Sequence, residues 1–360
     1  MAKSTKKKLD ELVDTETGEI TQSSETTETT ESKETKPKPV LNKSFSSLKN
    51  YKAKINFVDT RYKPQEWIDM SPAYKQTFNL PGIPVGHMSM IYGKSDTGKS
   101  TMAMELAAYA QKQGMVPVFI ITENKFSEKR AAAMGVDWDN ALLFKGVQTI
   151  EAGTKLVKQV LDDLDDPKQK DFKFDVVIIW DSVGATPTQD EFDRKESEEG
   201  GGAMMKAAKV LKEEFQRYLV HRINGTRADT CPYNATMFVV NQGYMSPPNI
   251  QMGKRNTTIE PYGGDSLYLP STLVFRMGGV MSRSSKVDAT RNGVKMNYAI
   301  KSGILLDKNH ITDTSAKGTI ICTNHGFILD DPKALDEYKK QHAPDWDLEF
   351  DKNWSSVSAD

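Results

Sequence analysis

Gly93-Lys94-Ser95-Asp96-Thr97-Gly98-Lys99-Ser100, followed by Thr101, is the stretch on which the reading of the chain turns. Two glycines separated by four residues and followed by Lys and Ser form a phosphate-binding loop. The glycines let backbone N–H groups turn inward around phosphates, Lys99 reaches the outer two, and the Ser100 hydroxyl ligates Mg²⁺. Residues Gly93 to Thr101 are therefore a candidate site for a nucleoside triphosphate with Mg²⁺. The flanks agree with this reading. Met88 to Tyr92 is a short apolar strand, and Met102, Leu106, Tyr109 and Ala110 recur at helical spacing until Gly114.

Beyond the loop, strands alternate with helices. Val116–Ile121, Val176–Trp180 and Ala235–Val240 read as buried strands, with helices over Ile150–Leu164 and Ala203–Ile223. This pattern predicts an α/β fold with a mainly parallel sheet and helices on both faces. Thr272–Met277, Asn297–Leu306 and Gly318–Thr323 are expected to extend it in antiparallel fashion. Each parallel strand ends in polar residues: Thr122 and Glu123, Asp181 and Ser182, Asn241 and Gln242. In open parallel sheets, ligands sit at that edge.

Composition sets the remaining bounds. The 360 residues carry a formal net charge of −1, so contact with nucleic acid must come from a local patch. Two cysteines, Cys231 and Cys322, fit a reducing compartment and exclude a disulfide framework. No apolar run is long enough to span a bilayer, so no membrane partner is expected and a cytoplasmic location is. Residues 1–42 are a low-complexity Lys/Thr/Ser/Glu tail, read as flexible and as either a solvated spacer or a tether for a partner protein. Residues 43–79 form a small N-terminal element with scattered aromatics that packs on its own core or on a neighbouring subunit. The core spans 80–330, and 331–360 is a short acidic and aromatic tail. Two long polar segments, 184–202 and 243–264, interrupt the core; loops of such length are usually functional or disordered.

Hydrolysis needs carboxylates. Asp181, directly after four apolar residues, is placed to hold Mg²⁺ opposite Ser100, rather than to cap a helix. Glu123, rather than being a solvated acid, is the candidate that orients the attacking water. Lys254 and Arg255, in a loop with Ile250 and Tyr262, supply cations for phosphates and apolar groups that wedge between bases. Segment 184–202 is acidic, so its phosphate contacts would come from the backbone of Gly200, Gly201 and Gly202. Lys206, Lys209 and Lys212 form either a basic stripe or an ordinary solvated helix face.

These residues, with Arg130-Ala131-Ala132-Ala133-Met134-Gly135-Val136-Asp137 and Gly263-Gly264-Asp265-Ser266-Leu267, fall in an order that resembles the RecA recombinases, most closely phage UvsX-type members. The likeness covers roughly residues 80–330. It implies a RecA-like P-loop ATPase core using ATP and Mg²⁺, with Glu123 and Lys99 catalytic and Gln242 sensing the terminal phosphate. It implies that 184–202 and 243–264 hold DNA, with Gly263 and Gly264 included. It also implies a helical homo-oligomeric filament on single-stranded DNA that pairs with double-stranded DNA, with loading or single-strand-binding proteins as accessory partners. The setting it implies is a bacterial cytoplasm, with the gene phage-encoded. Arg130 stands where the family places an aromatic against adenine. Lys308 and His310 align with the basic pair that reaches a neighbour's ATP, with His in the second position. A ring-shaped replicative helicase and a non-catalytic recombination mediator are the alternative readings.

Overall fold

The computed structural model describes residues 65–194, 203–223, 231–248, 256–278, 285–291 and 294–342. The elements run β1 (Trp67–Asp69), α1 (Pro72–Phe78), β2 (Gly82–Pro84), β3 (Met88–Gly93), α2 (Lys99–Lys112), β4 (Val116–Ile121), α3 (Glu128–Ala133), β5 (Leu142–Lys145), α4 (Ile150–Asp165), β6 (Val176–Asp181) and α5 (Gln189–Phe192). Then come α6 (Ala203–Leu211), a π-helical stretch (Lys212–Leu219), α7 (Val220–Ile223), β7 (Ala235–Ser246), β8 (Thr258–Pro261), α8 (Asp265–Tyr268), β9 (Leu273–Met277), β10 (Ser285–Arg291), β11 (Val294–Asn309), β12 (Lys317–Thr323) and β13 (Gly326–Leu329). Residues 332–342 are helical.

Six strands lie parallel in the order β5-β4-β6-β7-β3-β9, and β11, β12 and β13 continue the sheet antiparallel from β9. Every residue of β3 and β6 is buried, as expected of parallel strands covered on both faces. Side chains alternate between the two faces. Ile91, Phe119, Ile179, Phe238 and Phe275 pack under α2, whose Met102 and Leu106 are fully buried. Met90, Val118, Ile178, Trp180 and Met237 pack under α4 and the Ala203–Ile223 helical run, through Val157, Leu161, Phe215 and Leu219.

The crossover positions the chemistry. β3 leads through α2 to β4, but β7 and β6 lie between these two strands. Register pairs Gly93 with Gln242, Val240 with Asp181, and Asp181 with Ile121. The loop after β3 and the polar ends of β4, β6 and β7 therefore share one edge, at the switch point where open α/β sheets bind ligands.

Several expectations need adjustment. Residues 67–79 pack into the core instead of preceding it: β1 pairs with β2, and Tyr74 and Phe78 of α1 are buried, Phe78 edge-on to Phe275 at 5.1 Å. Ser71 caps α1 by accepting from the Tyr74 N–H, with Pro72 in the first turn. Segment 243–264 is in part a β-arm, because β7 continues to Ser246 and pairs antiparallel with β8. Segment 184–202 includes α5, whose Thr188 and Glu191 form a reciprocal capping box. The expected tail after Asp330 includes the helix 332–342, with Tyr338 buried. The expected tail 1–42 and residues 43–64 lie outside the described residues. Among the described residues, no helix is long and apolar enough to cross a membrane.

Candidate nucleotide-binding site

The cleft over the phosphate loop, about 930 Å³ out to its open mouth, is lined by Ser95–Thr101 together with Glu123, Arg130, Asp181 and Gln242. α2 starts at Lys99, so the unpaired N–H groups of its first turn face the cleft. Gly98, at φ 95°, is the residue before that turn, and a Cβ there would lie 2.3 Å from the Cys322 sulfur. A Cβ on Gly93 would lie 2.1 Å from the Met277 carbonyl oxygen. The loop is thus seated directly on β9 and β12, and both glycines are required by contact as well as by φ.

Lys99 donates from Nζ to the Lys94 carbonyl at 2.7 Å, and Thr97 donates to the same oxygen at 2.9 Å. Burial lowers the Lys99 ammonium pKa, while Asp181, Glu123 and Asp96 act to raise it. Asp181 is 6% exposed and hydrogen-bonded to the Ser100 side chain. Burial pushes its carboxyl up to about 6; Ser100 and Lys99 oppose that, and Glu123 adds to it. A hydroxyl and a desolvated carboxylate side by side are the hard oxygen donors that suit Mg²⁺, and the desolvation favours a cation there. The residues present therefore fit both a triphosphate and its metal.

Glu123 lies just past β4. Ser182 donates to its Oε1 at 2.5 Å, and Gln242 Nε2 approaches the same oxygen at 3.4 Å. Thr122 and Ser182 exchange hydrogen bonds, the Ser182 N–H to Thr122 Oγ1 at 3.1 Å and Thr122 Oγ1 to the Ser182 carbonyl at 2.9 Å. Those bonds lock the ends of β4 and β6 together. Asn241 accepts from the Gln242 N–H at 2.8 Å and donates to the Tyr262 carbonyl at 2.9 Å. Gln242 is thereby tied to the base of the β7–β8 arm. The roles of Ser182 and Asn241 were not read from the sequence, although each is the immediate neighbour of a residue that was.

Arg130 closes the other end of the cleft. Its Nη2 donates to Thr101 Oγ1 at 2.7 Å and to the Thr323 carbonyl at 3.1 Å, and burial lowers its pKa.

Lys308 and His310 are elsewhere. β11 runs antiparallel to β9, pairing Ile304 with Met277 and Asn309 with Leu273. Met277 is at the loop edge, so Lys308, paired with Val274, lies three β9 positions or about 10 Å from it along the strand, and His310, whose N–H donates to the Thr272 carbonyl, lies farther still toward the opposite edge. Lys308 donates there to the Tyr268 and Leu269 carbonyls at 3.0 and 2.8 Å, and His310 is exposed. Neither reaches this chain's own phosphate loop.

Of the DNA-binding candidates, Gly200–Gly202, Lys254 and Arg255 lie outside the described residues. Lys206, Lys209 and Lys212 are all exposed, the first two on α6 and the third opening the π-helical stretch. Gly263 and Gly264 form the turn between β8 and α8. The arm exposes Tyr244 and Met245, at 37% and 49%, which the sequence reading did not single out.

Comparison with known proteins agrees with this architecture. Residues 67–230 match the RecA N-terminal domain family. Protein RecA of Aquifex pyrophilus is 28% identical over 235 residues, 63% of this chain and 56% of that protein. Protein RecA of Aquifex aeolicus (strain VF5) is 28% identical over 63% of this chain and 57% of its own length. Protein RecA of Fusobacterium nucleatum subsp. nucleatum is 30% identical over 56% and 47%. The chain thus spans about half the length of the curated relatives it matches. The domain match and the relatives together support a RecA-family protein.

Proposed function

We propose that this chain is an ATP-dependent DNA recombinase. It would assemble as a helical filament on single-stranded DNA, pair that strand with a homologous duplex and exchange strands. The observation that carries the reading is the placement of Glu123, Asp181 and Gln242 on three neighbouring strand ends beside Lys99 and Ser100, with Gln242 continuous with the exposed β7–β8 arm. One cluster thus touches the place of a terminal phosphate and the root of a candidate DNA-contacting element.

The residues divide the work by chemistry. The first turn of α2 and Lys99 hold the phosphates. Mg²⁺, held through Ser100 and Asp181, would neutralise charge on the phosphate oxygens. Glu123, oriented by Ser182, accepts the proton of the attacking water. The Gln242 amide, already bonded to Glu123, responds to the terminal phosphate and carries that state through Asn241 and Tyr262 into the arm. Tyr244 and Met245 offer stacking and wedging surfaces for unstacked bases, and the Lys206, Lys209 and Lys212 side chains offer phosphate contacts. Lys308 and His310 meet a nucleotide only if it is held by another copy, which accords with ATP bound between subunits and with a filament. The nearer likeness to phage UvsX-type members and a phage-encoded gene follow from the sequence motifs, and the cytoplasmic setting from the two cysteines and the lack of a membrane-spanning apolar run.

The test is ATP turnover with and without single-stranded DNA. Lys99→Ala is expected to abolish nucleotide binding. Glu123→Gln should bind ATP and DNA normally but turn over about 10²–10⁴-fold more slowly, the usual contribution of a general base. Normal turnover by Glu123→Gln would remove Glu123 from the mechanism, and wild-type turnover indifferent to DNA would argue against a recombinase.

A further inference from the structure

The guanidinium of Arg130 has an unusual setting. Among the described residues no carboxylate pairs with it; the groups it senses electrostatically are the Cys322 thiol and the Tyr338 phenol. Two hydrogen bonds from Nη2 go to neutral oxygens, and among the described residues Nε is buried without an acceptor and Nη1 makes no hydrogen bond. A desolvated cation with spare donors and no bonded carboxylate is costly to keep in a fold. Its position explains what it serves. Arg130 lines the phosphate cleft and also a second, open cavity whose polar lining includes Asp96, Lys286, Asn297 and Asn324. Glu123, Asp181 and Gln242 mark the terminal-phosphate end of the cleft, and Thr101, one residue beyond Ser100, is bonded to Arg130. A triphosphate seated on Lys99 and Ser100 therefore directs its sugar and base toward Arg130 and the second cavity.

Arginine has donors only. The six-position of adenine carries an amine, also a donor, leaving N7 as the one acceptor on that edge. Guanine and hypoxanthine present two acceptors there, O6 and N7. Resting on the nucleotide site described above, we propose that Arg130 is a base-selecting residue, and that the chain binds 6-oxopurine triphosphates, GTP and ITP, at least as tightly as ATP.

The experiment is equilibrium competition against a fluorescent nucleotide on the full chain with Mg²⁺, using ATP, GTP and ITP. ITP has the O6/N7 edge without the guanine 2-amine, so it isolates the edge in question. Wild type should bind ITP and GTP no more weakly than ATP. Arg130→Gln places a donor and an acceptor side by side, the pattern that suits adenine N6/N7, and should shift the ITP-to-ATP affinity ratio about tenfold toward ATP. Arg130→Lys, again donor-only, should keep the wild-type order and serves if the Gln variant fails to fold. ATP bound more than about tenfold tighter than ITP by wild type would overturn the proposal, as would a ratio that Arg130→Gln leaves unmoved. Lys99→Ala separates the two claims. If all three nucleotides bind in a Lys99-dependent way and ATP wins, Arg130 alone is misassigned; if none binds, the nucleotide site itself is wrong.

Discussion

Replacing Glu105 with Gln is expected to stabilise the fold above neutral pH and to have a much smaller effect, under about 1 kcal/mol, at pH 5. Glu105 is in α2 and only 3% exposed. It accepts from the Ser71 hydroxyl and, at 2.6 Å, from the Phe327 N–H, so one carboxyl joins the cap of α1, the phosphate-loop helix and the turn into β13. Burial pushes its pKa from 4.5 up to about 7, against the pull of those hydrogen bonds and of Lys112. The folded value lies above the unfolded one, so the native chain holds the extra proton. The associated stability is fully present below about 4.5 and is lost as pH rises through about 7. At ~1.36 kcal/mol per pH unit, the whole effect is roughly 3 kcal/mol, of which about 2.5 falls between pH 5 and 8. Gln keeps the shape: its oxygen accepts from Phe327, and its amide donates to Ser71. Denaturant unfolding of both proteins at pH 5 and 8 measures the difference, in which the other titrating groups cancel. The stability gained by Glu105→Gln should grow by about 2–3 kcal/mol from pH 5 to 8. A gain that stays constant, or a wild type relatively more stable at pH 8, would show that Ser71 and Phe327 hold Glu105 as a carboxylate and would refute the reasoning.

Three further changes probe the site. Gly98→Ala puts a Cβ 2.3 Å from the Cys322 sulfur at φ 95°, and a nucleotide titration should show at least about a tenfold loss of affinity, only partly restored by adding Cys322→Ala. Gln242→Ala should leave ATP affinity within about threefold in the same titration, while stimulation of turnover by single-stranded DNA falls by about tenfold or more. Met245→Asp, on the exposed arm, should weaken single-stranded DNA binding about tenfold in an anisotropy assay without changing nucleotide affinity.

Much of the site was legible in the sequence because its residues are bound to short local patterns. The phosphate loop has fixed spacing, and Glu123, Asp181 and Gln242 each follow an apolar run that could only be a buried strand. Register then brought them to one edge without further information. What escaped reading depends on distant contacts. Cys322 sits under Gly98 and Thr323 accepts from Arg130 only because β12 joins the sheet beyond β11, a pairing no local pattern encodes. The β7–β8 arm was read as loop because its two short strands are polar and exposed on one side. α1 was read as a separate element because its apolar residues, Tyr74 and Phe78, are few; their burial on Phe275 comes from tertiary packing. Lys308 and His310, which the resemblance assigns to a neighbouring subunit's nucleotide, have no local pattern that places them, and the antiparallel course of β11 puts them away from this chain's own loop.

The most direct measurement of the central claim is fluorescence strand exchange with ATP and Mg²⁺, comparing a homologous duplex with a heterologous duplex of equal length. A recombinase exchanges strands with the homologous duplex alone and loses that activity with Lys99→Ala. Displacement from both duplexes would mark a motor that unwinds without regard to sequence, and displacement from neither would contradict a catalytic recombinase.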